Sequence, residues 1–435
     1  MTPHSADFKG DISRIETEVV EGLKRKPALL AEVELVRASI PKDRLVHISR
    51  LSNLYATIGV LPAELLVAIF KSGPSDVIEH QQYVKSISLV SRYWRNLSLA
   101  IPSLWSFFHI APLIGTHSNQ LQNLEMFIER SCSRPLSIVI YGDDHYEPGD
   151  FSSVLLPQIN LIIPLVSRWR TLRIDRIYQE EIADICGVFA ELQAPLLESF
   201  EVNVEAYDDE SESSPPVFTG GAPRLSYIKV EGISLMSCLP PLSSLVSLDL
   251  RNPPKPLTLA QWRHILTMSN QLRNLHISGD VVDIPFPETF PAAEIPSLHS
   301  LTFSPSAYTN LCNQIIGIKC PALRHLTIEP PYMYNNLSEL SAALRWTDRS
   351  SKSIYPLLQS LTLRRVAFTW VEAHWIIAML PSITRIIIDS CANPEILFNF
   401  LVPEDARESN SDERHWNRWP LLQTIGLLKI GRAHV

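Results

Sequence analysis

Apolar residues follow two different rhythms along this chain. Between Ile58 and Trp105 they recur at helical spacing. Leu61, Leu65, Leu66, Ile69 and Phe70 form one stripe of a short helix. Pro62 suits its first turn, where no N–H is needed. Gly73-Pro74 stops it, and a polar break is expected from Ser72 to Gln82. A second helical pattern sets Ile87, Val90, Trp94 and Leu97 on one side and Leu89 and Tyr93 on another. Pro102-Ser103-Leu104-Trp105 closes the unit. A segment this short buries only about 60% of its unfolded surface, so one apolar face is left for a partner.

Further on the rhythm changes to a repeated phrase, Pro-x-Leu-x-x-Leu-x-Leu. It occurs at Pro195 (with Leu197, Phe200, Val202), Pro223 (Leu225, Ile228, Val230) and Pro296 (Leu298, Leu301, Phe303). It returns at Pro321 (Leu323, Leu326, Ile328), Pro356 (Leu358, Leu361, Leu363), Pro381 (Ile383, Ile386, Ile388) and Pro420 (Leu422, Ile425, Leu427). Variants without that proline start at Trp169, Leu245 and Leu272. First apolar positions lie 20 to 39 residues apart, counted from Trp169. Side chains two apart share one face of a strand, and the apolar residue three earlier fills the corner before it.

Amphipathic helices lie between phrases. Thr258–Gln261 and Thr369–Glu372 fit capping boxes, a hydroxyl answered by an acceptor three residues on. Leu259, Trp262, Ile265 and Leu266 line one of these helices; Trp370, Trp375, Ile376 and Leu380 weight the other. Each strand–helix unit exposes an apolar side that only its neighbour can cover, so the units must stack. Before the repeats, Phe107–Ile110 and Pro135–Ile140 read as strands and Gln120–Cys132 as a helix. From Asp11 to Ser39 two short helices are expected, broken at Lys24-Arg25-Lys26-Pro27.

With these residues in view, LPxELLxxIF, a spacer, LVSRxWRxL and PSLW resemble an F-box. That resemblance implies docking to the Skp-type adaptor of a cullin–RING ubiquitin ligase, through Leu61, Pro62, Leu65, Leu66, Ile69, Phe70, Val90 and Trp94. The phrases resemble the irregular leucine-rich repeats found behind F-boxes, in the style common in basidiomycete fungi; their period lies around the usual range of about 20–29 residues. One departure stands out: Asn or Cys three residues after the last Leu is kept only at Cys391, so the usual turn-bonding ladder is in doubt. The expected fold is α/β: a leader over 1–50, an F-box over 51–106, and a repeat solenoid over 107–429 with a curved parallel sheet and outer helices. Residues 430–435 (IGRAHV) look like a translated sequencing adapter and are expected to be a non-native tail.

In such a stack, residues between and just after the two apolar positions face outward together. Glu201 and Asn203, Lys229 and Glu231, Asp249 and Arg251, and His276 and Ser278 would line the concave face. Thr302 and Ser304, Thr327 and Glu329, Thr362 and Arg364, and Ile387 and Asp389 continue the row. Its chemical variety suits a protein target.

Composition narrows the reading. The net charge of −8 argues against non-specific nucleic-acid binding. Prolines number 33 against 15 glycines, which points to turns built on proline. Six scattered cysteines with no CxxC read as buried free thiols. The most apolar run, Val154–Val166, is too broken for a membrane span. Acidic stretches at 205–216 and 404–414 read as solvated loops. No GxSxG, HExxH, GxGxxG or phosphate-cradling Gly-Lys-Ser/Thr loop is present, and Asp143-Asp144-His145 lacks further ligands for a metal. The expectation is a non-catalytic chain with no cofactor, cytoplasmic or nuclear: the substrate-recognition subunit of a Skp–cullin–F-box ligase. The rival expectation is a repeat scaffold acting outside any ligase.

Overall fold

Repeats that carry the proline start from a turn, and the proline is that turn's second residue. Proline presets the backbone angle this position needs. Leu197, Leu225, Leu298, Leu323, Leu358 and Leu422 each donate their N–H to the carbonyl three residues earlier, at 3.1 to 3.4 Å. The computed structural model in which these bonds are seen describes residues 26–27, 44, 58, 61–111, 117–142, 155–205, 215–283, 293–304, 318–330, 355–367, 369–399 and 419–428. The expected leader helices, the acidic stretch at 404–414, most of that at 205–216, and the tail at 430–435 lie outside the described residues.

The turns feed short strands. These are β1 (Phe107–Ile110), β2 (Leu136–Tyr141), β3 (Trp169–Tyr178), β4 (Ser199–Glu205), β5 (Tyr227–Glu231), β6 (Ser247–Arg251), β7 (Leu257–Thr258) and β8 (Asn274–Ser278). After them come β9 (Val282–Asp283), β10 (Ala293–Glu294), β11 (Ser300–Ser304), β12 (Ile318–Lys319), β13 (His325–Ile328), β14 (Ser360–Arg364), β15 (Arg385–Asp389) and β16 (Thr424–Leu428). Twelve of them form one parallel sheet, in the order β1-β2-β3-β4-β5-β6-β8-β11-β13-β14-β15-β16. The short pairs β7 with β9 and β10 with β12 form two small parallel ladders of their own. Spatial order follows chain order, as stacking of consecutive repeats requires.

Register repeats the phrase. Leu248 pairs with Leu275, Leu275 with Leu301, Leu301 with Leu326, Leu326 with Leu361 and Leu361 with Ile386. All six are buried. Burial of each such side chain contributes about 1.5–3 kcal/mol, and the next repeat supplies the cover.

A second file of bonds locks the stack. The carbonyl just before a strand accepts two consecutive N–H groups from the next repeat. Arg273 takes those of His299 and Ser300, His299 those of Arg324 and His325, Arg324 those of Gln359 and Ser360, and Gln359 those of Thr384 and Arg385, all at 2.9 Å. Serine side chains add rungs: Ser244, Ser297 and Ser382 donate to the Leu225, Leu272 and Leu358 carbonyls at 2.9, 2.8 and 2.8 Å. This is how a chain lacking the usual Asn still satisfies its turns. Among the described residues the side-chain ladder is replaced mainly by backbone carbonyls and serines.

The chain divides into two compact units, one of residues 1–73 and 85–100, the other of 74–84 and 101–435. The helices before β1 are α1 (Ala63–Lys71), α2 (Val77–Val90), whose first part lies in the second unit and whose end lies in the first, and α3 (Arg92–Leu99). The polar break is shorter than its polarity suggested. Asp76 accepts the Glu79 N–H at 3.1 Å, a cap that starts α2 within the polar stretch. Later helices are α4 (His117–Arg130), α5 (Leu156–Ile162), α6 (Gln179–Phe189), α7 (Leu259–Met268), α8 (Trp370–Met379) and α9 (Pro394–Asn399). No described helix is long and apolar enough to cross a membrane.

The capping box at Thr258 and Gln261 forms, with both reciprocal bonds present. Trp262, Ile265 and Leu266 are buried as expected. Ile376 on α8 and Leu380 just after it are buried, but Trp370, the first residue of α8, is half exposed. The last phrase departs too. Ile425 and Leu427 are 44% exposed each; among the described residues β16 is the end strand of the sheet and pairs with β15 alone. Cys186, Cys238, Cys320 and Cys391 are buried free thiols, whereas Cys132 is exposed, at a left-handed residue after α4. Burial pushes the Cys186 thiol up to about 12, which keeps it protonated and inert.

Candidate interaction surfaces

In the helical unit, α1 divides its apolar stripe between core and surface. Leu66 and Phe70 are fully buried, and the Phe70 ring lies 5.0 Å from the Trp94 ring. Such tilted aromatic pairs are favoured by ring electrostatics. Leu65 and Ile69, four residues apart on the same helix, are 52% and 40% exposed. Leu89 and Val90 at the end of α2 are 71% and 50% exposed, and Tyr93 on α3 is 49% exposed. Ser91 separates α2 from α3: its hydroxyl accepts the Trp94 N–H at 3.2 Å, a helix cap. Arg95 donates back to the Ser88 carbonyl at 3.0 Å.

Of the residues singled out from the sequence, Leu65, Ile69, Val90 and Pro62 therefore stand on the surface. Leu61 and Trp94 are half-buried, and Leu66 and Phe70 form the core beneath. Leu89 and Tyr93 were noted only as a second apolar side; their exposure makes them part of the same class of unpartnered side chains. Large apolar side chains gathered in a small unit are the usual signature of a docking surface.

The sheet's half-buried face brings the outward residues into files. Glu201 is in register with Lys229, Lys229 with Asp249, Asp249 with His276, and His276 with Thr302. Thr327, Thr362 and Ile387 extend the file. The neighbouring file holds Arg251, Ser278 and Ser304, then Arg364 beside Asp389.

Charges in these files are mostly closed on one another. Lys229 pairs with Glu231 at 2.8 Å, and Arg173 pairs with Asp175, which also accepts from Asn203. Arg251 grips both oxygens of Asp249 at 2.9 Å, and His276 Nδ1 lies 3.2 Å from Asp249 Oδ1. Burial alone would raise the Asp249 carboxyl. Hydrogen bonds from His276 and Arg251, with their charge, outweigh it and hold the group at about 2. Arg364 lies 2.7 Å from Glu329 and 3.6 Å from Asp389, and Arg365 lies 3.4 Å from Glu329. Such pairs fix side-chain orientation across repeats more than they add stability.

Sequence reasoning assigned the outward residues but missed this mutual pairing, which depends on which neighbour each strand receives. Signals existed at short range: Asp249 and Arg251, like Lys229 and Glu231, are opposite charges two residues apart on one strand. Among the described residues no group of three His, Cys, Asp or Glu could hold a metal ion. No family model matches the chain, and no curated protein matches it. The architecture is that of a leucine-rich-repeat-like solenoid, a parallel stack suited to protein–protein contact.

Proposed function

We propose that this chain is the substrate-recognition subunit of a Skp–cullin–F-box ubiquitin ligase. The observation that carries the reading is the exposed apolar set Leu65, Ile69, Leu89, Val90 and Tyr93, on helices whose sequence resembles an F-box. Leu61, Pro62, Leu65, Ile69, Val90 and Trp94 meet the adaptor, while Leu66 and Phe70 hold that surface in shape from beneath. The sheet face, from Glu201 to Asp389, holds a protein target. Ubiquitin transfer belongs to other subunits; this chain contributes proximity and carries no cofactor. Adaptor and cullin place it in the cytoplasm or nucleus.

Affinity purification of the full chain from cells tests this. Adaptor and cullin are expected in the wild-type eluate and absent from that of Leu65→Asp. Equal recovery of a target but no adaptor or cullin with the wild type would favour the second reading, a repeat scaffold acting outside a ligase, for which the solenoid itself is the support.

A further inference from the structure

At the rim of the sheet, where the strands begin, the charge pattern differs from the paired face. Arg273, His299, Arg324, Gln359 and Thr384 occupy equivalent positions, each carbonyl bonded to the next repeat. Asn274, Ser300, His325, Ser360 and Arg385 stand one residue further on and in register. No acidic residue falls in either file between β8 and β15. Arg273, Arg324, His325 and Arg385 are exposed. Among the described residues none of the three arginines makes an ion pair. At β3 and β4, by contrast, the same file closes Arg170 on Glu198 at 2.8 Å.

Spacing gives this rim a ruler. Adjacent strands lie about 4.8 Å apart. In the first file Arg273 and Arg324 are separated by two strand steps, through β11, and in the second His325 and Arg385 by two, through β14. Cationic anchors therefore recur every ~10 Å. A polyproline-II chain has three residues per turn and rises about 3.1 Å per residue, so its side chains three apart share one face at about 9 Å spacing.

We propose that this rim binds an acidic segment of a partner protein, laid across the strands in polyproline-II form with carboxylates at every third residue. Guanidinium groups pair with carboxylates through two parallel N–H bonds, and the absence of acids from both files leaves the attraction uncancelled. The inference deepens the target-binding half of the proposed function and is independent of adaptor docking.

The test uses the full chain and fluorescent peptides of about ten residues, read by anisotropy. One peptide carries Glu at every third position among serines. A second has the same composition with its Glu residues contiguous, a third has phosphoserine in place of each Glu, and a single-stranded RNA of equal charge is the fourth probe. The spaced-Glu peptide is expected to bind most tightly and to weaken as ionic strength rises to about 0.5 M. Arg324→Ala and Arg385→Ala should each weaken it about five-fold; Arg324→Lys should retain most of the binding. Equal binding of the spaced and contiguous peptides, tighter binding of phosphopeptide or RNA, or indifference to both Ala variants overturns the proposal. Adaptor titration on the same sample separates the two readings. Intact adaptor binding without peptide binding sinks only this proposal, and the converse sinks only the ligase assignment.

Discussion

Asp249 on β6 reaches His276 on β8 across the strand seam, Oδ1 to Nδ1 at 3.2 Å. With Arg251 on its other side, the carboxyl titrates near 2 in the folded chain, against about 3.9 when unfolded. A depressed carboxyl contributes stability that is complete above the unfolded value and is lost as pH falls through the folded one. The wild type should therefore lose stability between about pH 4 and pH 2 at this site. Asp249→Asn should be less stable at neutral pH and show a shallower acid limb in urea titrations.

Two glycines sit where the chain leaves a strand in a left-handed turn. Gly232 and Gly279 both have φ of +74°, and a Cβ would fall 2.1 Å from the Val204 carbonyl oxygen at the first and 2.6 Å from Asn252 Oδ1 at the second. Backbone cannot retreat as a side chain can. Both alanine variants should be destabilised, by about 1–3 kcal/mol for the backbone angle alone. Gly232→Ala should suffer more, as measured by denaturant midpoint.

The repeat was legible because its inward residues obey a fixed arithmetic. Leu225, Ile228 and Val230 announce a corner and a two-residue inner face from spacing alone, and the structure buries all three. Less visible was the residue ahead of the proline. Ala194, Ala222, Ile295, Cys320, Tyr355, Leu380 and Trp419 hold that place and are all buried, yet they range from alanine to tryptophan and fall outside the spacing that marks the phrase. What unites them is the turn's first position, a backbone property. The split of α1 into buried Leu66 and Phe70 and exposed Leu65 and Ile69 was hidden for a related reason. A stripe spaced for burial does not say which of its edges the next helix covers. Ion pairing on the sheet face depended on strand neighbours, which a single strand's sequence does not contain.

Serine rungs between repeats should matter one at a time. Ser297→Ala and Ser382→Ala each leave a carbonyl short of one donor, at a cost of about 1 kcal/mol. Because Ser297 and Ser382 sit on different turns with separate acceptors, the double variant should lose the sum. Urea unfolding of the four proteins checks this.

Core and surface on α1 should separate in experiment. Leu66→Ala removes a fully buried side chain and should cost about 2–5 kcal/mol. Ile69→Ser alters a half-exposed position and should change stability by less than about 1 kcal/mol. Thermal unfolding of both variants tests the assignment of Leu66 to structure and Ile69 to contact.

The most direct measurement is calorimetric titration of the purified full chain with a Skp-type adaptor. The account predicts saturable one-to-one binding, abolished in Leu65→Asp while the far-ultraviolet circular dichroism and unfolding midpoint stay at wild-type values. Absence of heat and of any complex with a folded wild-type chain, or undiminished binding by Leu65→Asp, would contradict it.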